Sequence, residues 1–220
     1  MRIGILGTGS MARALGEQWE RAGHTVLAGS RTRGDVRAAA EHGRDAVLLA
    51  VPHTAAVDLV TGLGDALRGR VLIDCTNAVG PGFALLTAGG PAAAERVAAA
   101  APTARVVKAF NLCHESVWRL TPPVFAGRPL AVPLCGDDEE ALTVVRRLVR
   151  DLGCVPLHAG GLDRAGLLEA TAALLIRLWV GEGADAQAIA PPLEHSGVQG
   201  LSDNSRLPPF GRRRELSDRP

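Results

Sequence analysis

Short apolar segments alternate along the chain with longer amphipathic ones. The short segments predict strands at Ile3–Gly7, Thr25–Ala28, Ala46–Val51, Val71–Asp74, Val106–Ala109, Leu130–Leu134 and Val155–Leu157. The longer segments predict helices at Met11–Arg21, Val36–Glu41, Thr54–Leu67, Ala92–Ala101, Glu139–Asp151 and Asp163–Val180. Such alternation is typical of an α/β protein with a doubly wound, mostly parallel Rossmann sheet and helices on both faces.

The C-terminal part of the chain departs from this alternation. The predicted helix Asp163–Val180 is apolar on nearly every side, so it belongs either to the core or to a subunit interface, and we expect a homodimer that buries it. After Pro191 the sequence becomes rich in Pro, Ser, Gly, Arg and Asp without periodicity. These features predict a nucleotide-binding domain over residues 1–158, a short C-terminal helical appendage over 159–190 and a disordered tail over 191–220.

A glycine motif joins the first predicted strand to the first predicted helix. Gly7, Gly9 and Ala12 form the pattern Gly-x-Gly-x-x-Ala directly after the apolar strand. Gly7 allows the tight turn, Gly9 lets a pyrophosphate approach the backbone, and Ala12 lets the helix pack close to the strand. In this context the motif predicts dinucleotide binding, whereas the alternative is a structural glycine-rich turn.

The end of the second strand selects the nucleotide. NAD-binding proteins place an acid there to hydrogen-bond the ribose 2′-hydroxyl group. Here the strand is followed by Ser30, Arg31 and Arg33, and no acid occurs before Asp35. A guanidinium group can bind a 2′-phosphate with two hydrogen bonds, so the sequence predicts NADP; the alternative is that these arginines are solvated loop charges.

The remaining candidate residues follow from the position of ligands in open α/β sheets. Such ligands lie beyond the carboxyl ends of the strands, a rule that selects Val51, Pro52, His53, Asn77, Lys108, Asn111 and Cys113. His53 lies either at the mouth of the cleft or in a solvated loop. Asn77 and Asn111 either hold the nicotinamide ribose or carboxamide, or stabilise turns. Lys108 is expected to clamp backbone or carboxylate groups instead of donating a proton.

Composition excludes several function classes. The chain has 220 residues and a net charge of +1, which gives no electrostatic footprint for nucleic acid or an anionic membrane. No apolar run could span a bilayer and no leader is visible, so we expect a cytoplasmic protein. The four cysteines are widely separated and the histidines form no ligand pattern, which predicts reduced thiols and no metal site. Tyrosine is absent, which excludes reductase mechanisms that use a Tyr–Lys proton donor.

Several segments together resemble the NADPH-dependent reductases of the deazaflavin coenzyme F-420. They are Gly-Thr-Gly-Ser-Met-Ala (7–12), Ala-Gly-Ser-Arg (28–31), Cys-Gly-Asp-Asp-Glu-Glu (135–140) and Val-Pro-Leu-His-Ala-Gly-Gly-Leu (155–162). Val-Lys-Ala-Phe-Asn (107–111) is closer to the NADPH-binding domain of membrane ferrireductases, which has the same fold. The resemblance covers residues 1–181 and implies hydride transfer between NADPH and a deazaflavin or flavin stacked on it, with no catalytic side chain.

The resemblance also assigns residues to parts of the cofactor. It implies that Thr8, Gly9, Ser10 and Met11 wrap the pyrophosphate and that Ser30 and Arg31 take the 2′-phosphate. It places Val51, Val79 and Glu115 near the nicotinamide. Where the family has a further basic residue this chain has Asp35, so either Arg33 substitutes or the phosphate is held more loosely.

Two alternatives remain open at this stage. The N-terminal motif also resembles that of pyrroline-carboxylate and imine reductases, whose long helical C-terminal dimer domain has little room here. The chain could also be a non-catalytic NADPH sensor. The sequence does not identify the hydride acceptor.

Overall fold

The computed structural model describes residues 1–185 and Ile189, so the tail expected over 191–220 lies outside the described residues. The strands are β1 (Arg2–Leu6), β2 (Thr25–Gly29), β3 (Ala46–Leu49), β4 (Val71–Asp74), β5 (Arg105–Lys108), β6 (Val124–Phe125), β7 (Arg128–Pro129), β8 (Ala131–Gly136) and β9 (Val155–His158). The α-helices are α1 (Ser10–Arg21), α2 (Val36–His42), α3 (His53–Leu63), α4 (Ala93–Ala100), α5 (Glu139–Asp151) and α6 (Ala165–Ile176).

Seven of the strands form one sheet in the order β2-β1-β3-β4-β5-β8-β9. The first five are parallel, β8 runs antiparallel to β5, and β9 is parallel to β8. The predicted α/β fold with a mostly parallel Rossmann sheet is therefore confirmed. Strand β1 has β2 on one side and β3 on the other, and this reversal of strand order opens a crevice at the carboxyl ends of the strands.

Most predicted elements occur close to their expected bounds, and the differences have local causes. The helix expected over Thr54–Leu67 ends at Leu63 because Gly64 adopts φ +47°, and a 3₁₀ turn follows. The helix expected over Asp163–Val180 is divided into a 3₁₀ turn at Leu162–Arg164, α6, and a π-helical turn at Arg177–Gly181. The β6–β7 hairpin was not predicted because its strands have two residues each.

The sheet separates two apolar cores. Ile3 and Ile5 of β1 pack on the face covered by α1 and α5, whereas Leu6 packs on the face covered by α2, α3 and α4. Successive strand residues point to opposite faces, so both faces of a parallel strand must be apolar. This explains why the strands are continuous apolar runs.

Helix α6 is buried on one side only. Leu168, Ala172 and Ala173 are buried, whereas Leu167 and Leu174 are more than half exposed. The homodimer expected for this helix stays a prediction. Among the described residues, no helix has both the length and the apolar character needed to cross a membrane.

The buried side of α6 is fastened to the sheet by a charged cluster of Asp74, Lys108 and Glu169. The Lys108 ammonium group lies 2.9 Å from Asp74 Oδ2 and 3.0 Å from Glu169 Oε1, and the side chains of all three residues have no exposed surface. Burial alone would lower the pKa of Lys108, but the two carboxylates raise it above its usual value, so the ammonium stays charged. The prediction that Lys108 clamps carboxylate and backbone groups is confirmed.

We predict that Lys108→Met lowers the free energy of unfolding by about 3–5 kcal/mol, because two carboxylates would stay buried without their cation. Urea unfolding of the purified variant measures this loss. The matched control is Arg68→Met, which breaks an exposed pair with Asp65 and should cost about 1 kcal/mol or less. Equal losses in the two variants would contradict the stabilising role of the cluster.

Candidate functional site

The glycine loop after β1 passes very close to the end of β3. Gly7 has φ +129°, and a Cβ atom on it would lie 2.1 Å from the carbonyl oxygen of Ala50. Its N–H group donates to the carbonyl of Gly29 at 2.8 Å, which ties the loop to the end of β2. A side chain at this position would force the strand ends apart, so the loop requires glycine here.

Gly9, unlike Gly7, has open space around the position of a Cβ atom. A Cβ atom on Gly9 would meet nothing within 4 Å, so a ligand can approach the backbone there. Gly9 is the N-cap residue of α1, no side chain caps the helix, and its first turn contains no acid. The free N–H groups and the helix dipole therefore favour an anion at this end of α1.

The turn after β2 is organised around the Ser30 hydroxyl group. This hydroxyl accepts from Thr8 Oγ1 at 3.2 Å and from the Arg33 N–H at 3.0 Å, and it lies 3.2 Å from the Arg33 carbonyl. The neighbouring Asp35 carboxylate accepts the N–H groups of Arg37 and Ala38 at 2.7 and 3.2 Å, so it caps α2. The Asp35 carboxylate is thus bound to main-chain N–H groups of α2. Arg31, which is exposed, lines the cleft.

A cleft of about 820 Å³ lies at the strand-order reversal, within the size range of small-molecule sites. Its walls come from the glycine loop, the turn after β2, the end of β3 and one side of α3. The predicted residues that line it are Gly7, Thr8, Gly9, Ser30, Arg31, Val51 and Pro52. The structure thus brings Thr8, Gly9, Ser30 and Arg31, four of the residues predicted to bind phosphate groups, to one surface.

Sequence reasoning missed the opposite wall of this cleft. That wall includes Thr54, Ala55, Asp58, Leu59, Gly62 and Leu63 of α3, together with Val36 and Arg37 of α2. The α3 residues recur at intervals of three or four, which places them on one helical face. That periodicity was the available signal, but nothing in the sequence told this face from one packed against the core. Arg37 adds a second cation to the cleft beside Arg31.

Several other predicted site residues lie outside the lining of this cleft. Arg33 is exposed, and its main chain closes the turn with Ser30. His53 begins α3 and is half-buried; Val79 pairs with Leu85 in an isolated bridge; Glu115 forms an ion pair with His114 at 2.7 Å. Ser10 and Met11 lie in the first turn of α1. Their cofactor contacts stay predictions.

Asn77 and Asn111 join the loops that follow β4 and β5. Asn77 Nδ2 donates to the Asn111 carbonyl at 2.7 Å, and Asn111 Nδ2 donates to Asn77 Oδ1 at 2.9 Å. Asn111 Nδ2 also donates to the carbonyl of Leu168 in α6 at 3.2 Å. These bonds support the turn-stabilising interpretation of both asparagines, and Asn111 Oδ1 is buried without a partner.

Phe110 turns the chain between Lys108 and Asn111. It adopts φ +62°, a strained conformation for a residue other than glycine, and it is buried. Edge-to-face contacts hold its ring against Trp19 and Trp118, with centroids 5.8 and 5.4 Å away. This packing stabilises the strained turn. On either side of it, Lys108 reaches the carboxylates of Asp74 and Glu169, and Asn111 reaches Asn77 and the Leu168 carbonyl.

The cysteines form free thiols, as predicted from their spacing. Burial raises the pKa of Cys75 to about 12 and the pKa values of Cys113, Cys135 and Cys154 to about 11. These thiols are therefore protonated at neutral pH and poorly suited to nucleophilic chemistry. Among the described residues, no group of His, Cys, Asp and Glu could hold a metal ion.

The donor set of the cleft fits a phosphorylated dinucleotide. Gly9 leaves space at the unpaired N–H groups of α1, which suit a pyrophosphate. Arg31 supplies a cation and Ser30 a hydroxyl group just after β2, where a 2′-phosphate would lie, and Arg37 in the first turn of α2 adds a second cation to the cleft. The apolar surface of Val51 and Leu59 between the strand ends and α3 suits the flat rings.

Comparison with known proteins points to the same class. Residues 2–44 match the family model "NADP oxidoreductase coenzyme F420-dependent". Metalloreductase STEAP3 of Rattus norvegicus is 31% identical over 189 residues, which cover 81% of this chain and 38% of the relative. The chain therefore spans well under half the length of this curated relative.

Solved structures share the fold. A candidate F420-dependent NADP reductase from Arthrobacter sp. FB24 has a TM-score of 0.76 at 24% identity, covering 84% of this chain and 96% of the other. An imine reductase from Aspergillus terreus, in a complex with NADPH4, has a TM-score of 0.60 at 18% identity, covering 83% and 62%. Together with the glycine loop and the arginine-lined cleft, the match over residues 2–44 makes the N-terminal part of the chain similar to coenzyme F420-dependent NADP oxidoreductases.

Proposed function

We propose that this protein is an NADPH-dependent reductase that passes a hydride to a planar acceptor, a deazaflavin or a flavin, stacked on the nicotinamide. The observation that carries the proposal is the lining of the cleft. It includes Gly9, which is open to a ligand at the start of α1, together with Arg31 after β2 and Arg37 in α2. Two anion-binding places in one groove match a pyrophosphate and a 2′-phosphate. The family model for residues 2–44 supports the same cofactor and the same class of acceptor.

The adenosine half of the cofactor would be held by fixed charges. The N–H groups at the start of α1 would bind the pyrophosphate, and the Arg31 guanidinium would bind the 2′-phosphate. Arg37 is already partly engaged, since its Nη2 lies 3.4 Å from the Leu63 carbonyl and its Nη1 lies 3.7 Å from Glu41. Arg31 forms no hydrogen bond or ion pair within the described part of the chain, so its guanidinium is free for the phosphate and would be the principal determinant of NADPH over NADH.

The nicotinamide half needs positioning and the exclusion of water more than acid–base groups. When bound, NADPH supplies a hydride from nicotinamide C4, and water supplies the proton that completes the two-electron reduction of the acceptor. Val51 and Pro52 offer surface for the ring at the end of β3. Lys108 is sequestered between two carboxylates and the thiols are protonated, so neither is placed to drive a proton transfer. This arrangement suits a stacking mechanism.

We predict that Arg31→Ala weakens NADPH binding about tenfold or more and changes NADH binding by no more than about twofold. A charge-assisted hydrogen bond to the phosphate is worth about 1.5–3 kcal/mol, and NADH lacks that phosphate. Fluorescence titration with each nucleotide measures both dissociation constants. Arg68→Ala, an exposed arginine outside the cleft, is the matched control and should leave both unchanged. A parallel loss of NADH affinity in Arg31→Ala would contradict the assignment.

We predict direct hydride transfer, seen as a primary isotope effect from NADPH deuterated at C4 on one face only. The acceptors to be tested are coenzyme F-420, flavin mononucleotide, a ferric chelate and a cyclic imine. Turnover of the ring acceptors should survive His53→Asn and Cys113→Ser, since neither side chain is asked to carry a proton. Loss of general acid catalysis typically costs about 10²–10⁴-fold. A loss of that size with intact NADPH binding would favour imine reduction, and binding without turnover of any acceptor would favour a sensor.

A further inference from the structure

We propose that Asp74, Lys108 and Glu169 are positioning residues for the nicotinamide end of the bound cofactor, which would extend from the cleft to the carboxyl ends of β4 and β5. In this inference, which rests on the proposed function, the buried cluster sets the loops after β4 and β5 in place for hydride transfer. Binding of the adenosine end of the cofactor would be unaffected by it. The cluster would act through main-chain and asparagine contacts and would touch neither the cofactor nor the acceptor.

The cluster fixes the first residues of the loop after β4. The Lys108 ammonium donates to the carbonyl of Thr76 at 2.5 Å, and Asp74 Oδ1 accepts the Thr76 N–H at 2.8 Å. Both main-chain polar groups of Thr76 are therefore bound by the cluster. Asn77 follows directly, so the position of its side chain depends on these two bonds.

The cluster also fixes the loop after β5 through α6. Glu169 binds Lys108, and the adjacent Leu168 carbonyl accepts from Asn111 Nδ2 at 3.2 Å. Asn111 in turn exchanges hydrogen bonds with Asn77. One turn of α6 thus holds both loops, and it does so at the carboxyl ends of the strands where ligands of this fold bind.

The net charge of the cluster explains why its geometry is specific. One cation and two carboxylates leave one negative charge, which is met by the start of α4. Glu169 Oε2 accepts the Ala93 N–H at 2.9 Å, and Oε1 accepts the Ala94 N–H at 3.2 Å while facing Lys108. Both carboxylate oxygens are needed as acceptors, so an amide cannot replace the group without turning its NH₂ toward a donor.

In the sheet, strand β3 lies between the cluster and the strands that lead to the proposed 2′-phosphate site. Strands β4 and β5 lie on the far side of β3 from β1 and β2, which carry the glycine loop and Arg31. A disturbance of the cluster should therefore leave binding of the adenosine half intact. This separation gives the inference a signature that general destabilisation would not produce.

Glu169→Gln is the test variant and Glu95→Gln is its matched control. Glu95 lies at the same end of α4, where one oxygen accepts the Ala92 N–H at 2.7 Å, a bond that the glutamine carbonyl can keep. Glu95 forms no hydrogen bond or ion pair with Lys108, whose partners are Asp74, Glu169 and the Thr76 carbonyl. Both variants carry the same chemical change, so differences between them report on the cluster.

The measurements are kcat with NADPH and the ring acceptor that the unsubstituted chain reduces, and the dissociation constant of 2′,5′-ADP. The rate is expressed per site that binds 2′,5′-ADP, so that unfolded protein does not count. We expect Glu169→Gln to lower this kcat about tenfold or more, because a small misplacement of the reacting groups slows the reaction strongly. The dissociation constant of 2′,5′-ADP should stay within about twofold of its value in the unsubstituted chain. Glu95→Gln should match the unsubstituted chain in both.

If Glu169→Gln folds poorly, the same measurements are made on a triple variant that combines Asp74→Asn, Lys108→Met and Glu169→Gln. This variant removes all three charges, so no buried charge is left unpaired. It should show the same split. Unchanged kcat in a folded cluster variant, or a 2′,5′-ADP affinity that falls with kcat, would overturn the positioning role. Absence of NADPH binding and turnover in the unsubstituted chain would instead overturn the proposed function itself.

Discussion

A buried ammonium group between two carboxylates ties the C-terminal helix to the sheet. Lys108, Asp74 and Glu169 have no exposed side-chain surface, so each charge depends on its partners and on hydrogen bonds from Thr76 and the start of α4. Removing charges from water is costly, and the cost is offset only when the geometry is well satisfied. The cluster therefore specifies one arrangement of α6 against the strand ends, and the loops after β4 and β5 inherit that arrangement.

The cleft itself rests on backbone geometry. Gly7 brings the loop after β1 to within contact of β3, while Gly9 leaves the start of α1 open to an anion. Two cations line the cleft, Arg31 in the turn after β2 and Arg37 in the first turn of α2, and the acid Asp35 is engaged in capping α2. Fixed N–H groups and cations bind phosphates without asking the protein to reorganise. The cleft and the buried cluster are thus built from different interactions.

The periodic parts of the fold could be predicted from the sequence, and so could the residues of the glycine loop and of the turn after β2 that line the cleft. Strand β4 and helix α5 occur at their predicted bounds because apolar periodicity and turn residues agree there. The reversal of β8 and β9 could not be predicted, because a buried antiparallel strand has the same apolar pattern as a parallel one. The partner of Lys108 was equally hidden, since a lone buried glutamate in an apolar helix gives no sign of its contact. The α3 wall of the cleft was missed because one helical face looks the same whether it meets the core or a ligand.

The central claim is that this cleft selects NADP(H) through the 2′-phosphate. Titration of the unsubstituted chain with NADPH and with NADH, at a low and at a high ionic strength, tests it most directly, since screening weakens the phosphate contact as salt rises. The account predicts that NADPH binds about tenfold more tightly or better, and that the advantage shrinks at high salt. Equal affinities for the two nucleotides at low salt would contradict it.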